Sequence, residues 1–161
     1  MRRYLKLSFW LLGRAAAAAD RVDPVVRREF SRLPERFAFT LGVMPAGPWM
    51  TVAKQAGGSI RYLGDTAAGA VHLKMKIKHM TTAFLLFSFR ESTAEAICRS
   101  RLIVEGDIDA ACTVVRILDR VQVLLLPGVL ARRAVKRCPV LPAVDKWMRR
   151  TRLYARVLAG G

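Results

Sequence analysis

Carboxylates are scarce in this chain: 12 Asp and Glu stand against 28 Lys and Arg in 161 residues, a formal charge of +16 at pH 7. Such a balance favours an anionic partner, whether lipid headgroups, nucleic acid or an acidic protein. Histidine is scarcer still. His72 and His79 have no Cys or carboxylate cluster beside them, which excludes a convincing metal site. The three cysteines, Cys98, Cys112 and Cys138, are odd in number and form no close pair, which excludes a disulfide framework. Two of them fall at apolar helical positions, where a buried free thiol in a reducing compartment is expected. Long apolar runs are missing as well. The longest charge-free stretch, 37–53, is broken by Gly42, Pro45, Gly47 and Pro48, and falls short of the roughly 20 residues of a spanning helix. No G-x-S-x-G, Walker-type or dinucleotide glycine pattern is present.

What is present is apolar mass with charge at its ends. The chain is 53% hydrophobic, with a mean hydropathy of +0.22. Residues 1–36 carry nine Arg and Lys against four acids, and residues 132–161 carry nine against Asp145 alone. The 95 residues between them hold ten basic and seven acidic side chains. A nearly balanced body is therefore flanked by basic segments. The opening "MRRYLKLSFWLLGRAAAAAD" imitates a secretory signal, but Lys6 and Arg14 leave only a short apolar stretch. A retained amphipathic helix, lying on a membrane or on the domain, is expected instead.

Local signals order the chain. Strong helix formers without proline predict a helix over 2–19. Asp23-Pro24 marks a second helix, with Asp as N-cap and Pro at the first position, running toward Leu33. "GVMPAGPWM" reads as a breaker-rich connection. Strand-like segments at 49–55 and 59–63 around Gly57-Gly58 predict a hairpin. Residues 70–78 alternate, with Val71, Leu73, Met75 and Ile77 on one face and His72, Lys74, Lys76 and Lys78 on the other. These three strands are expected to form an antiparallel meander. One or two short helices are expected over 80–100, a strand at 101–105, and a long helix from Asp107 to a break at Pro127. On that helix Asp109, Thr113, Arg116 and Arg120 form the expected wet face. Ile108, Ala111, Cys112, Val115 and Leu118 form the dry one, widened by Val114, Ile117 and Val121. A shorter basic helix is expected near 129–137, then an Arg-rich end.

The Gly106-Asp107 joint, where a strand turns into a helix, is a place where phosphates or nucleophiles often sit. Here it has no Lys-Ser/Thr pair and no nucleophile; of the clustered carboxylates Glu105, Asp107 and Asp109, capping explains Asp107 and first-turn dipole compensation explains Asp109. No catalytic pair is assigned. Trp49, Tyr62, Trp147 and Tyr154 could stack on single-stranded nucleic acid, but only Arg61 adjoins the two sheet aromatics. The apolar excess has two readings. The sheet face Val71, Leu73, Met75, Ile77, Leu102 and Val104, opposite Phe84, Leu85, Phe87, Phe89, Val114, Val115, Leu118 and Val121, is either a close-packed core or a core with a tunnel for an acyl, sterol or isoprenoid chain. Periodicity demands the same pattern for both.

The order of strand, short helices and then "RSRLIVEGDIDAACTVVRILDRVQVLLLP" resembles the sterol carrier protein 2 (SCP-2) family, in its bacterial branch, over about residues 37–135. "LIVEGD" is the sharpest token. The resemblance implies an α/β (α+β) fold with a mainly antiparallel sheet of about four to five strands covered by helices. Here it would be extended by an N-terminal helical segment (1–36) and a basic tail (136–161). It implies non-catalytic binding of a lipid between sheet and helices, with no metal or cofactor. Some bacterial members are accessory factors in ubiquinone biosynthesis and are thought to hold isoprenoid tails. The expected lipid-binding residues are Leu73, Met75, Phe84, Leu85, Phe87, Leu102, Val104, Val114, Val115, Leu118 and Val121. Docking on the anionic inner face of a membrane, from the cytoplasm, is expected through Phe9, Trp10, Trp147, Arg149, Arg150 and Arg152. A lipid-biosynthesis enzyme is a further expected partner. Two alternatives stand beside this reading: nucleic-acid binding through the tails, and an accessory or enzymatic role on a quinone-type lipid.

Overall fold

The computed structural model describes residues 1–65, 70–88, 90–91, 93–125 and 151–155. Its centre is a five-stranded sheet. The strands are β1 (Ala38–Val43), β2 (Trp49–Lys54), β3 (Ile60–Gly64), β4 (Leu73–Ile77) and β5 (Leu102–Glu105), and they lie in the order β3-β2-β1-β4-β5. All neighbours are antiparallel except β1 and β4, which run parallel with Leu41 opposite Met75. The hairpin around Gly57-Gly58 forms as expected. The expected meander does not, because β4 pairs with β1 and β5 rather than with β3. The strand that intervenes is β1. Every residue of it is buried, so it lacks the alternation that marks a half-exposed strand. Its absence of charge, which raises the question of a membrane span, is the signature of a central strand.

Among residues 1–125 as described, five helices accompany the sheet: α1 (Arg2–Val22), α2 (Pro24–Arg32), α3 (Met80–Phe87), α4 (Thr93–Cys98) and α5 (Ile108–Leu125). Helix α1 does not lie free. Leu5, Phe9, Leu12, Ala15, Ala16 and Ala19 recur at helical spacing and are all buried, so one stripe of the helix enters the core. The small alanines let its backbone approach closely, and Gly13 sits under the ring of Tyr62, where a Cβ would come within 2.5 Å of ring carbons. The N-terminal segment thus shares one hydrophobic core with the sheet and α5.

Asp23 joins α1 to α2 and does more than the expected capping. Its Oδ1 accepts from Val25 N–H at 2.8 Å, while its Oδ2 accepts from Arg120 Nε at 3.0 Å, with the side chain fully buried. A second pair, Arg116 with Glu29, spans the same α2–α5 interface. The expected wet face of α5 is therefore in part an interface, although Asp109 and Arg116 stay exposed on it. Thr113 is buried on it, whereas Ile108 and Cys112, expected on the dry face, are exposed. The reason is that α2 lies across the polar side of α5, which no single-helix pattern can reveal. Cys98 is exposed as well, and Cys138 lies outside the described residues. On the far end of α2, Lys54 Nζ donates to the carbonyls of Phe30 and Leu33, a cationic cap on a helix C-terminus.

The Gly106-Asp107 joint is geometric. Gly106 has φ +129°, and a Cβ there would lie 2.5 Å from the carbonyl oxygen of His72. Asp107 Oδ1 accepts from Asp109 N–H at 2.9 Å, which caps α5. The expected basic helix at 129–137 lies outside the described residues. Part of the tail does pack on the body: Leu153, in a helical stretch at 151–155, is fully buried, and Tyr154 donates its hydroxyl hydrogen to the Leu125 carbonyl.

Candidate functional site

The core is not closed everywhere. A cavity lies between the inner face of the sheet and the helices. Leu41 of β1, Met75 and Ile77 of β4 and Leu102 of β5 form its floor. Val115, Leu118 and Gln122 of α5 form one wall, Leu86 and Phe87 of α3 the cover, and Leu12 of α1 one end. Alternation on β1 and β4 sends those side chains inward, and the spacing Val115, Leu118, Gln122 keeps three residues of α5 on one side.

Of the residues expected to bind lipid, Met75, Phe87, Leu102, Val115 and Leu118 lie on this cavity. Leu73, Val114 and Val121 are fully buried in the closed core instead. Phe84, Leu85 and Val104 are half-buried and do not line it. Leu12, Leu41, Ile77 and Leu86 line it beyond the expected set, the first two because nothing local in the sequence places α1 and β1 in the core. The polar lining residues Glu91, Thr93 and Gln122 also lie beyond that set, although a polar residue at the period of an apolar stripe is a readable sign of a polar spot inside.

These polar groups gather at one end. Glu91 is nearly fully buried, and its carboxylate accepts from Arg99 at 3.0 Å and from Arg101 at 2.9 Å. A buried acid held by two guanidiniums fixes the α3–α4 connection over the sheet. Thr93 Oγ1 reaches Asp119 Oδ1 at 3.4 Å. Burial pushes the Asp119 carboxyl up to about 6, against a smaller lowering by that Thr93 hydrogen bond.

The cavity is small as it stands. At about 40 Å³ it has room for about three waters, and a lipid chain requires it to widen. Residues 84–88 on and beside α3 are all half-buried. Polar ties hold the cover at two points, where Tyr4 Oη donates to Phe87 O at 2.9 Å and where Arg99 and Arg101 hold Glu91. The sheet beneath is bound along both edges of β1.

Phe9, expected at a membrane, is instead a core residue, its ring centroid 4.7 Å from that of Phe87 with the two rings tilted. Trp10 is partly exposed, with Arg14 over its ring at 5.1 Å. Arg152 is exposed, while Trp147, Arg149 and Arg150 lie outside the described residues. Among the described residues no cluster of His, Cys, Asp and Glu could hold a metal, and no helix is long and apolar enough to cross a membrane. His72 is engaged structurally, accepting from Ala38 N–H through Nδ1 and stacking on Phe37.

No protein-family model and no curated protein matches the chain. Among solved structures it is similar to "UbiJ-SCP2 Ubiquinone synthesis protein", at 20% identity and a TM-score of 0.45, over 62% of this chain and 82% of that one. It is similar to a possible sterol carrier protein of Thermus thermophilus, at 13% identity and a TM-score of 0.46, over 81% and 89% of the two chains. It is also similar to palmitated SCP2L2 of Aedes aegypti, at 12% identity and a TM-score of 0.40, over 63% and 91%. These likenesses are partial, and the functional reading rests on the chain's own residues.

Proposed function

We propose that this protein binds a lipid non-catalytically, holding its chain between the sheet and the helices α3 and α5 and presenting it at a membrane. The observation that carries this is the cavity itself: nine apolar residues drawn from the sheet, α1, α3 and α5 converge on it, with polar groups confined to one end. Ligand sites are commonly concave and apolar, with a few polar groups that fix orientation. Among the described residues its wall holds no histidine, cysteine or serine, which favours a carrier over an enzyme. The ligand enters by displacement of the α3–α4 cover, and apolar burial of the chain offsets the cost of opening, at about 25 cal/mol per Å² removed from water.

Docking is assigned to the outer side of the first turns of α1. Met1, Tyr4, Leu7 and Trp10 are exposed there, Arg2, Arg3 and Lys6 flank them, and no acid precedes Asp20. An interfacial helix with such a composition lies in the headgroup region, each nearby cation contributing about 1 kcal/mol on an anionic leaflet. In this reading Tyr4 and Leu7 take the place of Phe9 as apolar contacts, and the proposed docking site is the anionic cytoplasmic face of a membrane. The sequence resemblance adds a quinone-type lipid as a candidate cargo and an enzyme of lipid biosynthesis as a candidate partner. Native mass spectrometry of the purified full chain tests the carrier reading. A bound lipid of defined mass, reduced in Leu118→Trp, is expected. A protein that purifies empty and takes up neither a fluorescent fatty acid nor a fluorescent sterol would sink it.

A further inference from the structure

The polar end of the cavity limits what head a bound lipid can carry. Three polar residues line it, Glu91, Thr93 and Gln122, and Asp119 stands behind Thr93 at 3.4 Å. We infer that Thr93, Asp119 and Gln122 form a headgroup subsite that selects an uncharged lipid bearing a hydroxyl, aliphatic or phenolic, over a carboxylate of the same chain length. The inference rests on the lipid-binding reading above and adds the class of ligand and the residues that choose it.

The selection is one of donors, acceptors and charge. A hydroxyl both donates and accepts. The Gln122 carbonyl and the Thr93 oxygen offer acceptors and the Gln122 amide a donor, while the Thr93 hydroxyl hydrogen is directed at Asp119 behind it. A neutral hydroxyl head can therefore replace its lost water contacts at this end. A carboxylate head cannot. It brings an acceptor-only anion beside Asp119, with which no cation forms an ion pair among the described residues. Two carboxylates sharing one partly dry site cannot both ionise without cost. The raised proton affinity of Asp119 shows that this end already disfavours a single negative charge.

Arg99 and Arg101 do not reverse the sign. Both are committed to Glu91, neither lines the cavity, and their side chains are 58% and 37% exposed, so water screens them. Glu91 lines the cavity, with its charge held by those two guanidiniums. The protein as a whole carries +16. Global attraction brings anionic lipids to the surface, and the subsite then sorts them.

The test is competition against a prebound fluorescent lipid at pH 8, using full-length protein and two probes, hexadecanol and hexadecanoate. Hexadecanol is expected to displace the reporter at about tenfold lower concentration, the ratio that one like-charge contact at partial burial produces. Asp119→Asn keeps the shape and the acceptor but removes the charge, and is expected to narrow the ratio below about threefold by improving hexadecanoate. Thr93→Val is expected to weaken hexadecanol. Equal displacement by both probes in the wild-type protein overturns the headgroup assignment and leaves lipid binding standing. A wild-type preference that Asp119→Asn leaves unchanged also overturns it. Displacement of a bound reporter by neither probe also overturns the headgroup assignment, whereas a protein that binds no fluorescent lipid at all overturns lipid binding itself.

Discussion

Asp119 offers a stability experiment whose sign and size follow from its surroundings. Its carboxyl is pushed from the usual 3.8 up to about 6 by burial, with one long hydrogen bond from Thr93 in partial compensation. The folded state therefore keeps its proton to higher pH than the unfolded chain does. Linkage then fixes the direction: the folded state binds the extra proton between about pH 4 and pH 6, so stability falls as pH rises through that window and stays lower above it. The gap from 3.8 to about 6 corresponds to at most about 3 kcal/mol. A carboxylate that is not fully buried shares part of its field with water, so about 1–3 kcal/mol is the expected range. Asp119→Asn removes the titration and keeps an oxygen that can accept from Thr93. Urea unfolding at pH 4 is expected to show variant and wild type within about 0.5 kcal/mol of each other, as for a neutral-for-neutral exchange. At pH 7.5 the variant is expected to be more stable by the amount above. An identical difference at both pH values, or a variant less stable at pH 7.5, would refute the reasoning.

Four further outcomes follow from the packing. Asp23→Ala removes a cap, at about 1 kcal/mol, and strands Arg120 in a buried interface, at about 3–5 kcal/mol; thermal unfolding should show a larger loss than Asp107→Ala, which removes only a cap. Gly106→Ala forces a positive φ on a residue with a Cβ and drives that atom at the His72 carbonyl, so a loss above about 2 kcal/mol is expected; chemical denaturation showing a loss below about 1 kcal/mol would mean the joint is looser than described. Leu118→Trp fills the cavity and should lower uptake of a fluorescent sterol more than it lowers melting temperature. Leu7→Glu with Trp10→Glu should abolish flotation with anionic vesicles and leave lipid uptake intact, while equal flotation with neutral vesicles would reject the docking surface.

How much of the molecule is legible in its sequence depends on whether one element's own pattern carries the answer. The alternation of Leu73, Met75 and Ile77 announces β4, and Asp23-Pro24 announces both the end of α1 and the start of α2. Asp107 declares its cap because the cap is local. The failures are all tertiary. Residues 38–43 do not declare a strand, because burial on both faces erases the period-2 signal, and without β1 the place of β4 in the sheet cannot be read. The charged side of α5 looks wet throughout because nothing local shows that Asp23 folds over Arg120 and that Glu29 reaches the still exposed Arg116. Phe9 and Trp10, adjacent in sequence and equally aromatic, look alike as membrane contacts, but their side chains point about 100° apart on the helix, which puts one in the core and leaves the other partly exposed. For the cavity, the inward positions of β4 and α5 are readable. Which of them border a gap rather than a neighbour depends on packing at the scale of one methyl group, and no periodicity encodes that.

Photolabelling tests the central claim most directly. A hexadecanol analogue with a diazirine at mid-chain would be bound to the full-length protein, irradiated, and its attachment sites mapped by mass spectrometry of peptides. The account expects adducts on Leu12, Met75, Phe87 and Leu118, four side chains brought to one cavity from α1, β4, α3 and α5, and expects unlabelled hexadecanol to suppress them. Labels confined to exposed residues such as Leu7 and Ile108, or cavity labels that unlabelled hexadecanol does not compete away, would contradict it.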